Sequence, residues 1–213
     1  ISFSVASPAP DTTAPVVSIT SPVTGSIATG SAISLIASAS DAVGVIGVQF
    51  KLDTNTVIGT EDTSAPYSVV WNSTTIADGL HTIIAIARDA AGNRATSTAI
   101  SVTIDNTTPL RSAGAPTGVL PVGTTGTTLS LSTNEGAVCR YSTVAASSYA
   151  MMTAFSTTGA TAHGAALTGL SNGTTRTYYV KCRDTAGNIH TDDYVISFSV
   201  ASPAPDTTAP VVS

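Results

Sequence analysis

Residues 1–18, ISFSVASPAPDTTAPVVS, return letter for letter as residues 196–213. An identity of that length sets a period of 195 residues, measured from Ile1 to Ile196. Self-similarity at a fixed spacing decides what counts as a folding unit, so it comes before any assignment of elements. The repeated stretch carries its own punctuation. ISFSV alternates apolar and polar residues as a half-buried strand does. Residues 202–210 read as a Pro- and Thr-rich linker, and PVVS opens another strand. The expectation is a window on a tandem array, running from the last strand of one unit to the first strand of another.

One period has room for two domains of about 100 residues each. Charged residues make up only 10% of the chain, and lysine occurs twice, as Lys51 and Lys181. Val, Ile and Thr recur in short alternating runs divided by Gly, Asn, Asp and Pro, the pattern of an all-β protein. A net charge of −5 leaves no basic stripe to neutralise phosphates, which argues against a nucleic-acid partner. No apolar run approaches the roughly 18 residues of a spanning helix, so no membrane insertion is expected in this segment. Two cysteines per period, few charges and abundant Ser and Thr suit an extracellular protein.

After the first linker, strands are expected at 16–19, 32–37, 48–52, 67–71, 81–89 and 95–105. Ile33, Leu35 and Ala37 share one face, as do Tyr67, Val69 and Trp71. Asp89-Ala90-Ala91-Gly92-Asn93 reads as a hairpin loop whose glycine takes a positive φ. About seven short strands at regular spacing imply two packed sheets. The stretches DTTAPVVSITSP, SASDAVGVIGVQFKLD, APYSVVWNSTTIADGLHTIIAIARDAAGN and TSTAISVTID resemble a bacterial immunoglobulin-like domain over nearly all of 11–105.

The second half, 106–200, repeats the scheme. Strands are expected at 127–132, 137–141, 177–184 and 194–200. Between 147 and 155, Tyr149, Met152 and Phe155 are spaced to line one face of a short helical turn. Leu167-x-x-Leu170-x-x-Gly173-Thr174 ahead of a strand resembles the corner of a fibronectin type III domain. Arg176 stands where that family has its corner tyrosine, and Tyr178 lies two residues later. Asp184-Thr185-Ala186-Gly187-Asn188 repeats the hairpin pattern of the first half. The fold expected is therefore all-β: two tandem Ig-like and fibronectin III-like β-sandwiches. The segments are 1–10 (last strand and linker of a preceding repeat), 11–105, 106–200, and 201–213 (linker and first strand of a following one).

The resemblance places Cys139 and Cys182 on neighbouring strands and implies a disulfide between them, the alternative being a reduced, buried pair. It also brings the incoming linker, one inter-strand loop and the hairpin to a common pole. Asp11, Asp41, Asp89 and Asn93 occupy those places in the first domain. Asp105, Glu135, Asp184 and Asn188 occupy them in the second, and Asp206 stands where Asp11 does in the next repeat. Carboxylates and loop carbonyls gathered at a junction suit Ca²⁺, a hard cation that takes six to eight oxygens. The competing reading is that Asp and Asn cap their own loops.

No catalytic site is expected. His81, His163 and His190 lie in separate segments and each reads as a surface or loop residue, with no nucleophile, HExxH or phosphate-loop motif nearby. Asp192 and Asp193 are adjacent and so face opposite sides of a strand. Both lysines alternate out of phase with the core, which argues against a covalent Lys–Asn link, and Trp71 reads as core. The leading functional expectation is the repeat unit of an extracellular bacterial filament, stalk or adhesin rod. Its partners are neighbouring repeats, with lateral self-association into a fibre as a further contact. The alternatives are a module that binds a surface glycan or host protein, or a spacer of a secreted polysaccharide-degrading enzyme.

Overall fold

The computed structural model describes residues 9–208, so the strand expected at 1–5 and the one opening at 210 lie outside the described residues. The chain divides between Asn106 and Thr107 into two compact units. Strands occupy most of both, and a single 3-10 turn is the helical element among the described residues.

The first unit contains β1 (Val16–Ser21), β2 (Ser26–Ala28), β3 (Ile33–Ser40), β4 (Val45–Leu52), β5 (Thr56–Asp62), β6 (Tyr67–Trp71), β7 (Gly79–Asp89), β8 (Arg94–Thr96) and β9 (Ile100–Ile104). One sheet has the order β1-β3-β6; the other runs β2-β9-β7-β4-β5, with β8 on β7. The first strand thus changes sheets. β1 ends where Pro22 removes a backbone donor, Gly25 turns the chain at φ +83°, and β2 then pairs parallel with β9. Neither β2 nor β5 was anticipated. β2 has three residues, too few to show a period, and β5 (TVIGTED) contains a single buried residue, Ile58. Gly59 in β5 has φ +62°, and a Cβ there would overlap the Val69 side chain, so only glycine fits.

The single strand expected at 95–105 is two strands. Ser97 explains the break. Its hydroxyl oxygen accepts the Ala85 N–H (3.0 Å) while its own N–H donates to the Ala85 carbonyl (2.8 Å). A side chain takes the place of a ladder carbonyl, and the strand bulges there. Inside, Leu35, Val48, Phe50, Ile83, Ala85, Val102 and Ile104 are fully buried, and Tyr67 and Trp71 close the same core. Trp71 is core, as its alternation with Tyr67 and Val69 indicated.

The second unit contains β10 (Arg111–Ala115), β11 (Gly118–Leu120), β12 (Gly126–Thr133), β13 (Ala137–Ser142), β14 (Thr153–Ala154), β15 (Ala162–Thr168), β16 (Thr175–Asp184) and β17 (Tyr194–Val200). Its sheets have the orders β10-β12-β15 and β11-β17-β16-β13-β14. Again the first strand is broken at a proline, Pro116, and its second half, β11, runs parallel to the last strand. The two units are variations on one topology. In β17, Ile196, Phe198 and Val200 are buried, so the alternation of ISFSV does mark a half-buried strand.

Tyr149–Met151 forms the 3-10 turn, and Tyr149, Met152 and Phe155 are all buried, but only Tyr149 belongs to the turn. Met152 is its extended C-cap and Phe155 follows β14, so the three do not line one helical face. The corner before β16 replaces tyrosine chemistry with arginine chemistry. The Arg176 guanidinium donates to the Gly169 carbonyl at 3.3 Å, seven residues upstream. That is the role a corner tyrosine hydroxyl plays in this fold class. Tyr178 instead enters the core, stacked on Phe198 with ring centroids 6.2 Å apart, and burial pushes its hydroxyl above the usual tyrosine range.

Cys139 and Cys182 are disulfide-bonded. They face each other directly in the register of β13 and β16, so the bridge lies within one sheet instead of joining two.

Candidate functional site

Both units carry the same loop, Asp-x-Ala-Gly-Asn, after their longest strand, and in both the aspartate carboxylate accepts from the asparagine backbone N–H and its side-chain amide. In the first unit Asp89 Oδ1 accepts the Asn93 N–H (2.8 Å), and Asn93 Nδ2 donates to Asp89 Oδ2 (2.8 Å). The Asp89 N–H donates to the Asn93 carbonyl (3.2 Å). In the second unit Asp184 Oδ1 accepts the Gly187 and Asn188 N–H groups (2.7 and 2.8 Å), and Asn188 Nδ2 donates to Asp184 Oδ2 (2.9 Å). Gly92 and Gly187 supply the positive φ, +95° and +100°. Burial pushes the Asp89 carboxyl up. The Asn93 amide and the backbone N–H groups of Asn93, Gly92 and Ala91 outweigh it and hold the group below the usual carboxylate range.

The asparagine of each loop does a second job that the sequence does not advertise. Asn93 Nδ2 also donates to the Asp11 carbonyl (3.2 Å), and Asn188 Nδ2 donates to the Thr107 carbonyl (3.0 Å). Each hairpin loop therefore holds the linker that enters its own unit. The carboxamide is the group that can do this, because one nitrogen with two protons reaches both the loop aspartate and the linker backbone.

Around Asn93, the structure brings together Asp11, Asp41 and Asp89. Each offers a carboxylate oxygen, and these atoms lie within 4.8 Å of one another. Asp11 Oδ1 is used by the Thr13 N–H (3.0 Å), and Asp41 Oδ1 by the Val43 and Gly44 N–H groups (2.8 and 3.1 Å). Loop capping therefore accounts for one oxygen of each. The other, Oδ2, is buried in both residues and accepts no hydrogen bond. Three like charges at this separation repel, and two buried carboxylate oxygens among them have no hydrogen-bond partner.

The second unit by itself offers Glu135 and Asp184, also within 4.8 Å. Asp105 follows β9 at the end of the first unit, where its N–H donates to the Ala28 carbonyl (3.2 Å). Asp206 is exposed, with its Oδ1 on the Thr208 N–H (2.8 Å), a contact that holds its carboxyl below the usual range. The same turn forms at Asp11–Thr13 and at Asp206–Thr208, so Asp-Thr-Thr makes it from local sequence alone.

Several expectations about the titratable residues need correcting. His163 and His190 are buried, 3% and 8% exposed, not surface residues. His163 is hydrogen-bonded to Thr133 and Thr158, and His190 to the Cys182 carbonyl. His81 is half-buried on β7, with Nδ1 2.7 Å from Asp53 Oδ2. Lys181 is buried although it alternates away from the core, because the chain at Ser147 and Asp193 covers it. Its Nζ donates to the Ser147 carbonyl (3.0 Å) and lies 3.5 Å from Asp193. Asp192 and Asp193 sit just before β17, not in a strand. They still serve different partners, Arg111 for Asp192 and Lys181 for Asp193.

Residues 15–85 match the bacterial Ig domain family. No curated protein matches the chain in sequence. Among solved structures, the chain is similar to fibronectin(III)-like modules of Clostridium thermocellum CbhA, with 18% identity over 88% of this chain and 95% of that one, at a TM-score of 0.45. An I-band fragment of titin is 12% identical over 90% of this chain and 66% of its own, at a TM-score of 0.51. The endo-beta-1,4-mannanase of Thermotoga petrophila is 17% identical over 46% of this chain, which spans 21% of that enzyme, at a TM-score of 0.38. The titin similarity concerns the fold alone. Bacterial Ig-like and fibronectin III-like sandwiches are typical structural or spacer modules, and such folds are generally non-catalytic.

Proposed function

We propose that the chain is the repeat unit of an extracellular bacterial filament, stalk or adhesin rod, with partners that are neighbouring repeats. The observation that carries this reading is the duplicated linker held by a purpose-built loop. Asn93 binds the linker that leads into the first unit, and Asn188 binds the one that leads into the second. A loop that holds the backbone of its own incoming linker suits a spacer, in which the linkers are working parts of the rod. The disulfide and the bacterial Ig similarity agree with an oxidising, extracellular setting. Electron microscopy of the full-length protein tests this. The expected result is fibres or stalks with an axial repeat near 80 Å, about twice the length of a sandwich built from strands of this rise. Discrete particles without an axial repeat overturn it, and glycan binding by such particles points to the recognition module.

A Ca²⁺ ion at Asp11, Asp41 and Asp89 is part of the same proposal. The residues fit it through the buried, unpartnered Oδ2 atoms of Asp11 and Asp41. Because Asp11 lies on the linker and Asp41 and Asp89 on the body of the unit, a cation there ties one to the other. Its affinity falls in the range of extracellular modules, on the order of 0.1–1 mM. The first unit, followed through Trp71 fluorescence, is expected to melt at a higher temperature in millimolar calcium than in chelator. Asp41→Asn removes the difference. An identical melting curve in both media removes the ion from the proposal.

A further inference from the structure

We propose that mild acid moves the stability of the two units in opposite directions, with protonation of His81 tightening the first and protonation of His163 loosening the second. The chain has three histidines, and both cysteines are bonded to each other, so imidazoles are the side chains that change charge in mildly acidic water. What differs between His81 and His163 is what their two ring nitrogens face.

At His81 both nitrogens face acceptors. Nδ1 lies 2.7 Å from Asp53 Oδ2, and Nε2 lies 3.0 Å from the Ala77 carbonyl. A neutral ring has one N–H and satisfies one of these, whereas the imidazolium satisfies both. The charged ring thereby joins three places. Asp53 is in the turn between β4 and β5, at φ +48°, and its Oδ1 also accepts the Thr82 N–H (2.9 Å). Ala77 precedes β7, beside Asp78, whose Oδ1 accepts the Asn106 N–H (2.9 Å) at the end of the unit. Asp53 is the charged group facing the ring, and Asp78 is the charged neighbour on the adjoining loop. The Asp53 hydrogen bond is the main cause that raises the His81 pKa above the ordinary imidazole value of about 6.5. The stabilisation is complete below that value and is lost as pH rises through the folded-state pKa.

At His163 both nitrogens face hydroxyls, 2.9 Å to Thr133 Oγ1 and 2.8 Å to Thr158 Oγ1. Thr133 donates its proton to the Glu135 carbonyl (2.6 Å), so it accepts from Nε2–H. Thr158 accepts the Cys139 N–H (2.8 Å), and its one proton has two acceptors in reach, Nδ1 at 2.8 Å and the Ala137 carbonyl at 3.3 Å, of which Nδ1 makes the shorter contact. A neutral ring protonated on Nε2 therefore has both nitrogens hydrogen-bonded, Nε2–H donating to Thr133 and Nδ1 accepting from Thr158. The ring is 3% exposed, with Phe155 packed edge-on at 6.4 Å, and the Glu135 carbonyl bonds to Thr133, not to the ring. A positive charge here is desolvated and has no carboxylate contact among these ring partners, and burial accordingly lowers the pKa. The unfolded chain takes up the proton first, so stability is full above about pH 6.5 and falls as pH drops below it.

The chain carries its own probes. Trp71 reports the first unit, and five of the six tyrosines (141, 149, 178, 179 and 194) report the second. Denaturant unfolding of the intact chain is followed by tryptophan fluorescence and by tyrosine near-ultraviolet circular dichroism between about pH 8 and 5.5. The tryptophan midpoint is expected to rise as pH falls, and the tyrosine midpoint to drop. His81→Gln flattens the first trend and His163→Gln shrinks the second. The unsubstituted chain already decides the signs. The second trend keeps a remainder from His190, whose burial lowers its pKa in the same direction. Midpoints that move together, or trends of unchanged size in the folded His81→Gln and His163→Gln variants, overturn the proposal.

Discussion

Reducing the Cys139–Cys182 bridge, or replacing both residues by alanine, is expected to destabilise the second unit by about 2–4 kcal/mol. The two positions are 43 residues apart, so the open chain regains the freedom of a long loop when it unfolds. Both side chains are fully buried, in one core cluster with Val180, Tyr178 and Phe155. Alanine therefore adds a packing loss that reduction does not, and the alanine pair is the more destabilised of the two. The tyrosine-reported midpoint falls in each case, while the Trp71-reported midpoint of the first unit stays in place. A midpoint insensitive to reductant shows that the bridge is not formed.

Phe50→Ala is expected to cost the first unit about 3–5 kcal/mol. Phe50 is 1% exposed on β4, opposite Ala85 of β7 and Ile58 of β5. Its neighbours are strands tied into a continuous sheet, so they cannot move in to fill the space left by the ring. Val70, 69% exposed on β6, is the control, and its substitution by serine changes stability by no more than about 0.5 kcal/mol. A Trp71 midpoint that responds equally to both substitutions contradicts this account of the core.

Much of the fold was legible because alternation is a local property. Leu35, Phe50, Trp71, Val180 and Phe198 all lie on the faces their spacing assigned to the core. Where alternation was too short to count, the reading failed: β2 and β11 are three residues each, and their pairing partners are some seventy to eighty residues away. The break at Ser97 was invisible for a different reason. It depends on a hydroxyl replacing a carbonyl across the ladder, which serine in a strand does not announce. Lys181 and His163 show the same limit from the other side. Polar residues became buried because distant segments, at Asp193 for one and at Thr133 and Thr158 for the other, supplied the hydrogen bonds that burial requires.

The sequence by itself determined the period, the two-sandwich plan, the Asp-x-Ala-Gly-Asn hairpins and the turn at Asp-Thr-Thr, all of which follow from repeats, alternation and local hydrogen bonding. Only the tertiary structure decided what those hairpins hold. That Asn93 reaches the Asp11 carbonyl, and that Asp11 and Asp41 each keep one buried oxygen without a partner, depend on three segments meeting in space. Residue spacing encodes faces and turns, whereas contacts between such segments are set by how the two sheets pack.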